Sequence, residues 1–439
     1  MRRRAEFTSI LASVLLLALV LGMPPASALT LPDTAVPEAF TKGEDAFNRK
    51  DYAEAMRRYR EVADQGYAQA QSAIGYMYAT GDGVPRDFAE AMRWFRKAAD
   101  QGLAKAQYDV ALFYATGRGV TQDYAQAMVW YRKAADQGDL DAADSVGSLY
   151  RHGQGVTQDF AEAMRWYRLA ADQGNADGQF HLGVMYKLGQ GVPRDYAAAA
   201  QWFRKGADQG DATCEDEVGV LYANGQGVEH DDAEAMRWFR KAADQGSREG
   251  QANIGRLYAG GSGVTQDYAE AMRWYRLAAD QGDPDALSSI GSLCAYGHGV
   301  KQDYAEALNW FRKSADLGSA EGEYNLGTMY MNGYGVKQDD VEAMRWLRKA
   351  ADQGDARAQN SVGVLYDKGR GVPQDQAAAA QWFRKGAEQG DANAQHSLGL
   401  SYYRGEGVPK DLAQARVWMA KAAAGGITAA KLWLAVYPE

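Results

Sequence analysis

Five kinds of residue in this 439-residue chain recur or cluster in ways that could do chemistry. The histidines are His152, His181, His230, His298 and His396, each in a different stretch and none spaced as metal ligands. A zinc site needs three or four converging ligands, so no metal is assigned. Cys214 and Cys294 are the only cysteines, and 80 residues separate them. In a stack of short helices that distance places them too far apart for a disulfide, whose Cα atoms lie within about 7 Å. Both read as lone thiols. An Asp recurs from Asp87 to Asp411, and helix capping explains the whole column, so no carboxylate is assigned to catalysis. Gly-x-Gly-Val turns follow helices rather than strands, which excludes a nucleotide loop. A Trp recurs from Trp94 to Trp418 and could stack sugars or bases. Because every full repeat carries it at one apolar position, it reads as packing. The chain is read as non-enzymatic and without a cofactor.

These columns share one period. The turn ends at Val84, Val120, Val156 and so on to Val408, always 36 residues apart, with an Asp three residues on and a Trp seven after that. The period defines ten repeats over 67–426. Each reads as two helices, which makes the chain all-α. In 67–102, Ala70, Ile74, Met77 and Tyr78 give the first helix an apolar face. Gly81 and Gly83 can take the positive φ that stops it. Asp87 caps the second helix, with Glu90 three residues on as in a capping box. Phe88, Ala91, Met92, Phe95 and Ala99 face the core, and Gly102 ends the repeat. Gly75 opens a mid-helix glycine column that runs to Gly399, broken only by Ala111. Glycine there costs about 1 kcal/mol against alanine, which implies close helix approach beneath a Trp or Tyr of a neighbour. Gly206 and Gly386 stand in a second-helix column otherwise held mainly by alanine, so Gly→Ala is expected to stabilise at both.

Residues 37–66 form an atypical, tetratricopeptide-like first unit that lacks the turn and has Arg58 where later units have Trp. Residues 427–439 read as a capping helix carried by Leu432, Trp433 and Val436. At the start, Arg2 to Arg4, the apolar run Ile10 to Leu21, and Ala26-Ser27-Ala28 form a signal peptide over 1–28. The apolar run is too short to span a bilayer, which needs about 20 residues, so no stable membrane anchor is expected after cleavage. The expected location is the periplasm or the medium. Formal net charge is −9, and Lys and Arg never form a run, which argues against nucleic acid as partner.

The motif stands as Ala394, Gln395, Leu398, Gly399, Tyr402, Gly405, Gly407, Val408, Asp411, Ala415 and Trp418. It resembles the Sel-one-like repeat (SLR), a relative of the tetratricopeptide repeat, over 67–426. The resemblance implies a right-handed α-α superhelical solenoid of helix-turn-helix repeats, with first helices lining a concave side. It implies a protein-interaction scaffold, associated in exported bacterial members with envelope regulation, polysaccharide secretion and host contact. Some relatives are linked to β-lactam hydrolysis, but those are cysteine-rich and this chain is not.

Structure demands the constant columns. It leaves three variable ones, placed six, ten and thirteen or fourteen residues after each inter-repeat glycine, which share one face of the first helix. That face carries Tyr76, Tyr108, Leu112, Phe180, His181, Arg256, Tyr324, Met331 and His396, with Arg151, His152, Lys187, Asp367, Lys368, Tyr403 and Arg404 at the helix ends. Aromatics and arginine are enriched at binding hot spots, so these residues are the candidate surface for a protein or peptide. Cell-wall or secreted polysaccharide is the alternative ligand. Tyr108, Phe180 and Tyr324 are expected to be exposed there.

Overall fold

The computed structural model describes residues 37–437; the expected signal peptide lies outside the described residues. All regular elements among the described residues are α-helices. They fall into two units, 37–158 and 159–437. The first holds the helices Glu38–Asn48 and Tyr52–Ala63, two full repeats, and the helix Leu140–His152. The second begins with Phe160–Asp172, continues through seven full repeats from Ala176–Leu188 onward, and ends with Thr428–Val436. Each unit is an all-α solenoid stack. None of the described helices is long and apolar enough to cross a membrane.

Within a repeat the two helices meet at the glycine column. A β-carbon on Gly75 would lie 2.7 Å from the Phe95 ring, and one on Gly219 would lie 2.5 Å from Phe239. The bulky partner is therefore the residue after the Trp, in the same repeat, and not the Trp or Tyr of a neighbour. Close approach of the helix pair, not local propensity, holds glycine in mid-helix.

The caps explain a second column. Asp87 accepts from the backbone N–H of Glu90, and Asp231 does the same for Glu234. The expected reciprocal half of the box does not form. The Asp87 N–H donates instead to the carbonyl of Tyr78 at 2.9 Å. Glu90 is thereby freed to accept from the Trp94 indole at 2.9 Å, and Glu234 takes the Trp238 indole in the same way. Capping and the tryptophan thus share a residue in these repeats, whereas the Trp346 indole, four residues after Glu342, is buried without a partner.

Repeats dock on each other through three further links. Gly119, at φ +69, lies so close to the preceding second helix that a β-carbon would sit 2.3 Å from the Phe88 carbonyl. Buried Gln179 donates to the Ala171 carbonyl at 3.1 Å and accepts from Gln209 at 2.8 Å. Arg240 donates to the Tyr258 hydroxyl one repeat on, and Arg384 to Tyr402. Cys294 replaces that Tyr and has no hydroxyl to offer. Trp238 packs across the repeat boundary, with Ala199 and Phe203 of the preceding repeat and Leu221 of its own. Its ring lies under Lys241 at 3.8 Å and Arg204 at 4.6 Å.

Both cysteines are free and buried. Burial pushes both thiols up, Cys294 to about 11. Cys214 also corrects one expectation. A β-carbon on Gly206 would fall 2.4 Å from the Cys214 sulfur, and one on Gly386 would meet the Ala356 carbonyl at 2.8 Å. The two glycines are sites of crowding, so adding a methyl there is not stabilising. At the C-terminus Ala430 is buried and Trp433 half-buried, while Leu432 and Val436, expected to pack, are 65% and 69% exposed.

Candidate functional site

The variable columns lie where neighbouring first helices face each other. In the first unit Tyr76 is half-exposed, with its edge against Phe47. Tyr108 is half-buried, its centroid 5.5 Å from Tyr131 in the following helix, and Leu112 is half-buried one turn on. Arg151 is half-buried, and His152 is exposed with Nδ1 2.9 Å from the Ser148 carbonyl.

In the second unit Phe180 lies 5.9 Å from Phe203, and His181 stacks on Tyr167 at 4.9 Å. Lys187 reaches into the next repeat and pairs with Glu217 at 2.6 Å. Arg256 is exposed. Tyr324 is half-buried beneath the Arg357 guanidinium, 4.4 Å from its centroid. The Met331 carbonyl accepts from Arg370. Asp367 pairs with Lys368 at 2.8 Å. His396 is half-buried, and burial, then Arg404, hold its pKa down. The Tyr403 hydroxyl meets that of Tyr437 at 2.5 Å, and Arg404 pairs with Glu406. Tyr108 and Phe180 are therefore half-buried against their own repeats, and Tyr324 between its own repeat and Arg357 of the next, rather than free-standing. Aromatic width at these positions is used first for packing, and one edge remains for contact.

One opening on the second unit lies beside residues that the sequence reading does not single out. A cavity of about 420 Å³ lies between the first helices Ala212–Asn224 and Arg248–Gly260, lined by Asp216, Glu217, Val220, Ser247, Glu249 and Asn253. A smaller hollow of about 180 Å³ shares Val220 and Asn253 with it and takes in Arg256. Six residues after the inter-repeat glycine, where three other repeats place Tyr108, Phe180 and Tyr324, these two place Asp216 and Ala252. Asp216 is 7% exposed. Among the described residues no three His, Cys, Asp or Glu side chains converge as metal ligands.

The Sel1 repeat model matches ten consecutive segments, from 68–103 to 392–427, with the fifth at 214–247. This chain belongs to the Sel1 repeat family. Two solved Sel1-type structures are similar over most of its length. One is a protein described as a protective antigen present in uropathogenic Escherichia coli strains and displaying an SLR fold. It is 40% identical, covers 86% of this chain and 81% of its own, and has a TM-score of 0.58. The other is a Sel1 repeat protein from Oxalobacter formigenes, 36% identical, covering 71% of this chain and 90% of its own, with a TM-score of 0.50. No curated protein matches the chain. A Sel1 repeat scaffold is consistent with a protein–protein interaction adaptor. The constant columns of the repeat are accounted for here by capping, close helix approach and repeat docking, which leaves the variable face as the place where the repeats of this chain differ.

Proposed function

We propose that this chain is an exported, non-enzymatic scaffold that holds a protein or peptide partner on the concave face of its first helices, in cell-envelope regulation or assembly. One observation carries the reading. The side chains that dock helix on helix repeat every 36 residues, whereas those between neighbouring first helices vary among the repeats, as in Tyr108, Phe180, Asp216, Tyr324 and His396 of one column, and line the cavity beside Asp216. A periodic stack gains nothing from such variation, and a surface matched to one irregular partner does. The segment Arg2 to Ala28 supports export, by its basic start, apolar run and small residues before Leu29.

The test is site-specific photo-crosslinking in intact source cells. A photoreactive side chain at Tyr324 or His396 should give one discrete heavier species, with its partner identified by mass spectrometry. The same group at Arg273, on the wet side of a second helix, should give none. Equal yields from all three positions would remove the assignment of the face.

Polysaccharide is a second reading, and it rests on a different edge. His298 stacks on Tyr268 at 4.6 Å beside exposed Tyr296, and Tyr334 stacks on Tyr304 at 5.0 Å. Such rings at the turns offer flat faces to sugars. Co-sedimentation with peptidoglycan that Tyr296→Ala and Tyr334→Ala abolish would favour it.

A further inference from the structure

We propose that the chain carries a second interaction surface, on its second helices, where two equivalent hollows beside Ala200 and Ala380 each take a methionine side chain of a protein partner. The proposal is independent of the concave-face reading.

The observation that carries it is one column of the repeat. Two residues before the Trp stand Met92, Met128, Met164, Met236, Met272 and Met344 in six repeats, and all six are buried. They pack toward the repeat that follows. Met236 shares a core with Tyr258 and Val264, and Met344 shares one with Leu365, Tyr366 and Val372. In the helices Tyr196–Asp208 and Gln376–Glu388 the same column holds Ala200 and Ala380. Both alanines line open space. A cavity of about 270 Å³ is bounded by Ala200, Leu221, Tyr222 and Val228, the positions that surround Met344 in its own repeat. One of about 420 Å³ is bounded by Ala380, Arg384 and Val408. Both belong to the second unit and are five repeats apart.

The mouths differ from the other repeats as well. Beside the methionine, other second helices carry a Glu–Arg pair, as in Glu90–Arg93 at 2.7 Å and Glu234–Arg237 at 2.8 Å. The two alanine helices place Ala198 and Gln201, or Ala378 and Gln381, at those positions. Gln201 and Arg204 are exposed at one rim, and Gln381 and Arg384 at the other. A large-to-small change under a core costs stability. Here it occurs twice at one position, each time with the ion pair beside it removed, which leaves an uncharged, apolar opening at the surface.

The sister repeats say what fits. Six of them fill this position with methionine, an unbranched and adaptable side chain. Leu308 stands in the column once and is half-buried, so branching keeps a side chain from sitting as deeply. The rim guanidiniums of Arg204 and Arg384 repel a lysine or arginine, and the apolar wall penalises an ionised carboxylate.

The test uses the chain from Leu29 onward and N-acetylmethionine methylamide as probe, read on the methyl resonances of Val228 and Val408. Saturable shifts are expected at both, with Kd on the order of 100 mM. N-acetylglutamine methylamide at the same concentrations should give none. Ala200→Met and Ala380→Met fill the hollows from within. Each should abolish the shift at its own site, spare the other, and raise the melting temperature by about 1–3 °C. In intact cells a photoreactive side chain at Gln201 should give a product that Ala200→Met removes, with the crosslink mapped to a methionine-bearing segment of the partner. Arg273 stays a bare control, because Met272 fills the position beside it. No saturation, equal shifts with the glutamine derivative, shifts that survive the filling variants, or a Gln201 product that is absent or unchanged by Ala200→Met would overturn the proposal. A lower melting temperature in either filling variant would show that the space is not free, and would overturn it too. Saturation of the same methyl groups by 1-hexanol at an at least tenfold lower concentration would assign a lipid-like ligand instead. None of these failures touches the crosslinks expected from Tyr324 and His396.

Discussion

Between about pH 4 and 7 the folded chain holds a proton at Asp216 that the unfolded chain, with an ordinary aspartate near 3.9, has lost. A raised carboxyl pKa stabilises the fold at low pH, and that contribution fades as pH climbs through the window. Asp216→Asn should therefore raise stability by about 1–4 kcal/mol at pH 8 and change it little near pH 4, measured by denaturant titration. A loss of stability at pH 8 would mean the carboxylate has an internal partner. The same reasoning applies more weakly to Glu323, which stands where other repeats have the docking Gln. It accepts from Gln353 at 2.8 Å but cannot, as a carboxylate, donate back to the preceding helix, and burial raises its pKa. Cys214 offers a packing test. Gly206→Ala should cost about 1–3 kcal/mol by overpacking against the thiol. Adding Cys214→Ala, which recreates the Ala98 and Ala106 pair of an earlier repeat, should restore the melting temperature. A double variant no better than the single would show that some other neighbour crowds Gly206. Aspartate caps were legible from sequence because capping is local. Asp216 was overlooked because only aromatics and cations were sought in its column. Its burial also depends on Ser247 and Gly250, more than thirty residues away.

At the level of the helix, tryptophan and the variable rings do different work. Trp238 is 3% exposed, spans two repeats and satisfies its indole on Glu234. Trp238→Ala should cost about 3–5 kcal/mol through the cavity it leaves. Tyr324→Ala removes a half-buried ring under Arg357, so a smaller loss of about 1–2 kcal/mol is expected. Chemical denaturation of both variants should rank them in that order, and a Tyr324 loss as large as that of Trp238 would place the ring in the core. Element existence was legible from period alone, down to the turn glycines. What period could not convey is which partner each column meets. The glycine column meets the ring of its own repeat, and the Glu of the capping pair turns to the Trp, because both outcomes depend on how closely two helices approach. Leu432 and Val436 likewise stand at helical spacing suited to burial, but among the described residues no element covers them.

For the whole molecule, the ten-repeat family assignment and the signal segment lead to an expectation of processing. Mature protein should begin at Leu29, and N-terminal sequencing of the secreted or periplasmic form checks it; a chain that retains Arg2 in a membrane fraction would contradict export. The number of repeats was readable because no insertion breaks the 36-residue register. The proposed binding surface was readable only as a face. The central claim is that this variable face, and not the repeated scaffold beneath it, holds the partner. The most direct measurement is the crosslinking yield from Tyr324 and His396 compared with Arg273 in intact cells. The account predicts one discrete partner from the first two positions and none from the third; the same products from Arg273, or none from the face, would contradict it.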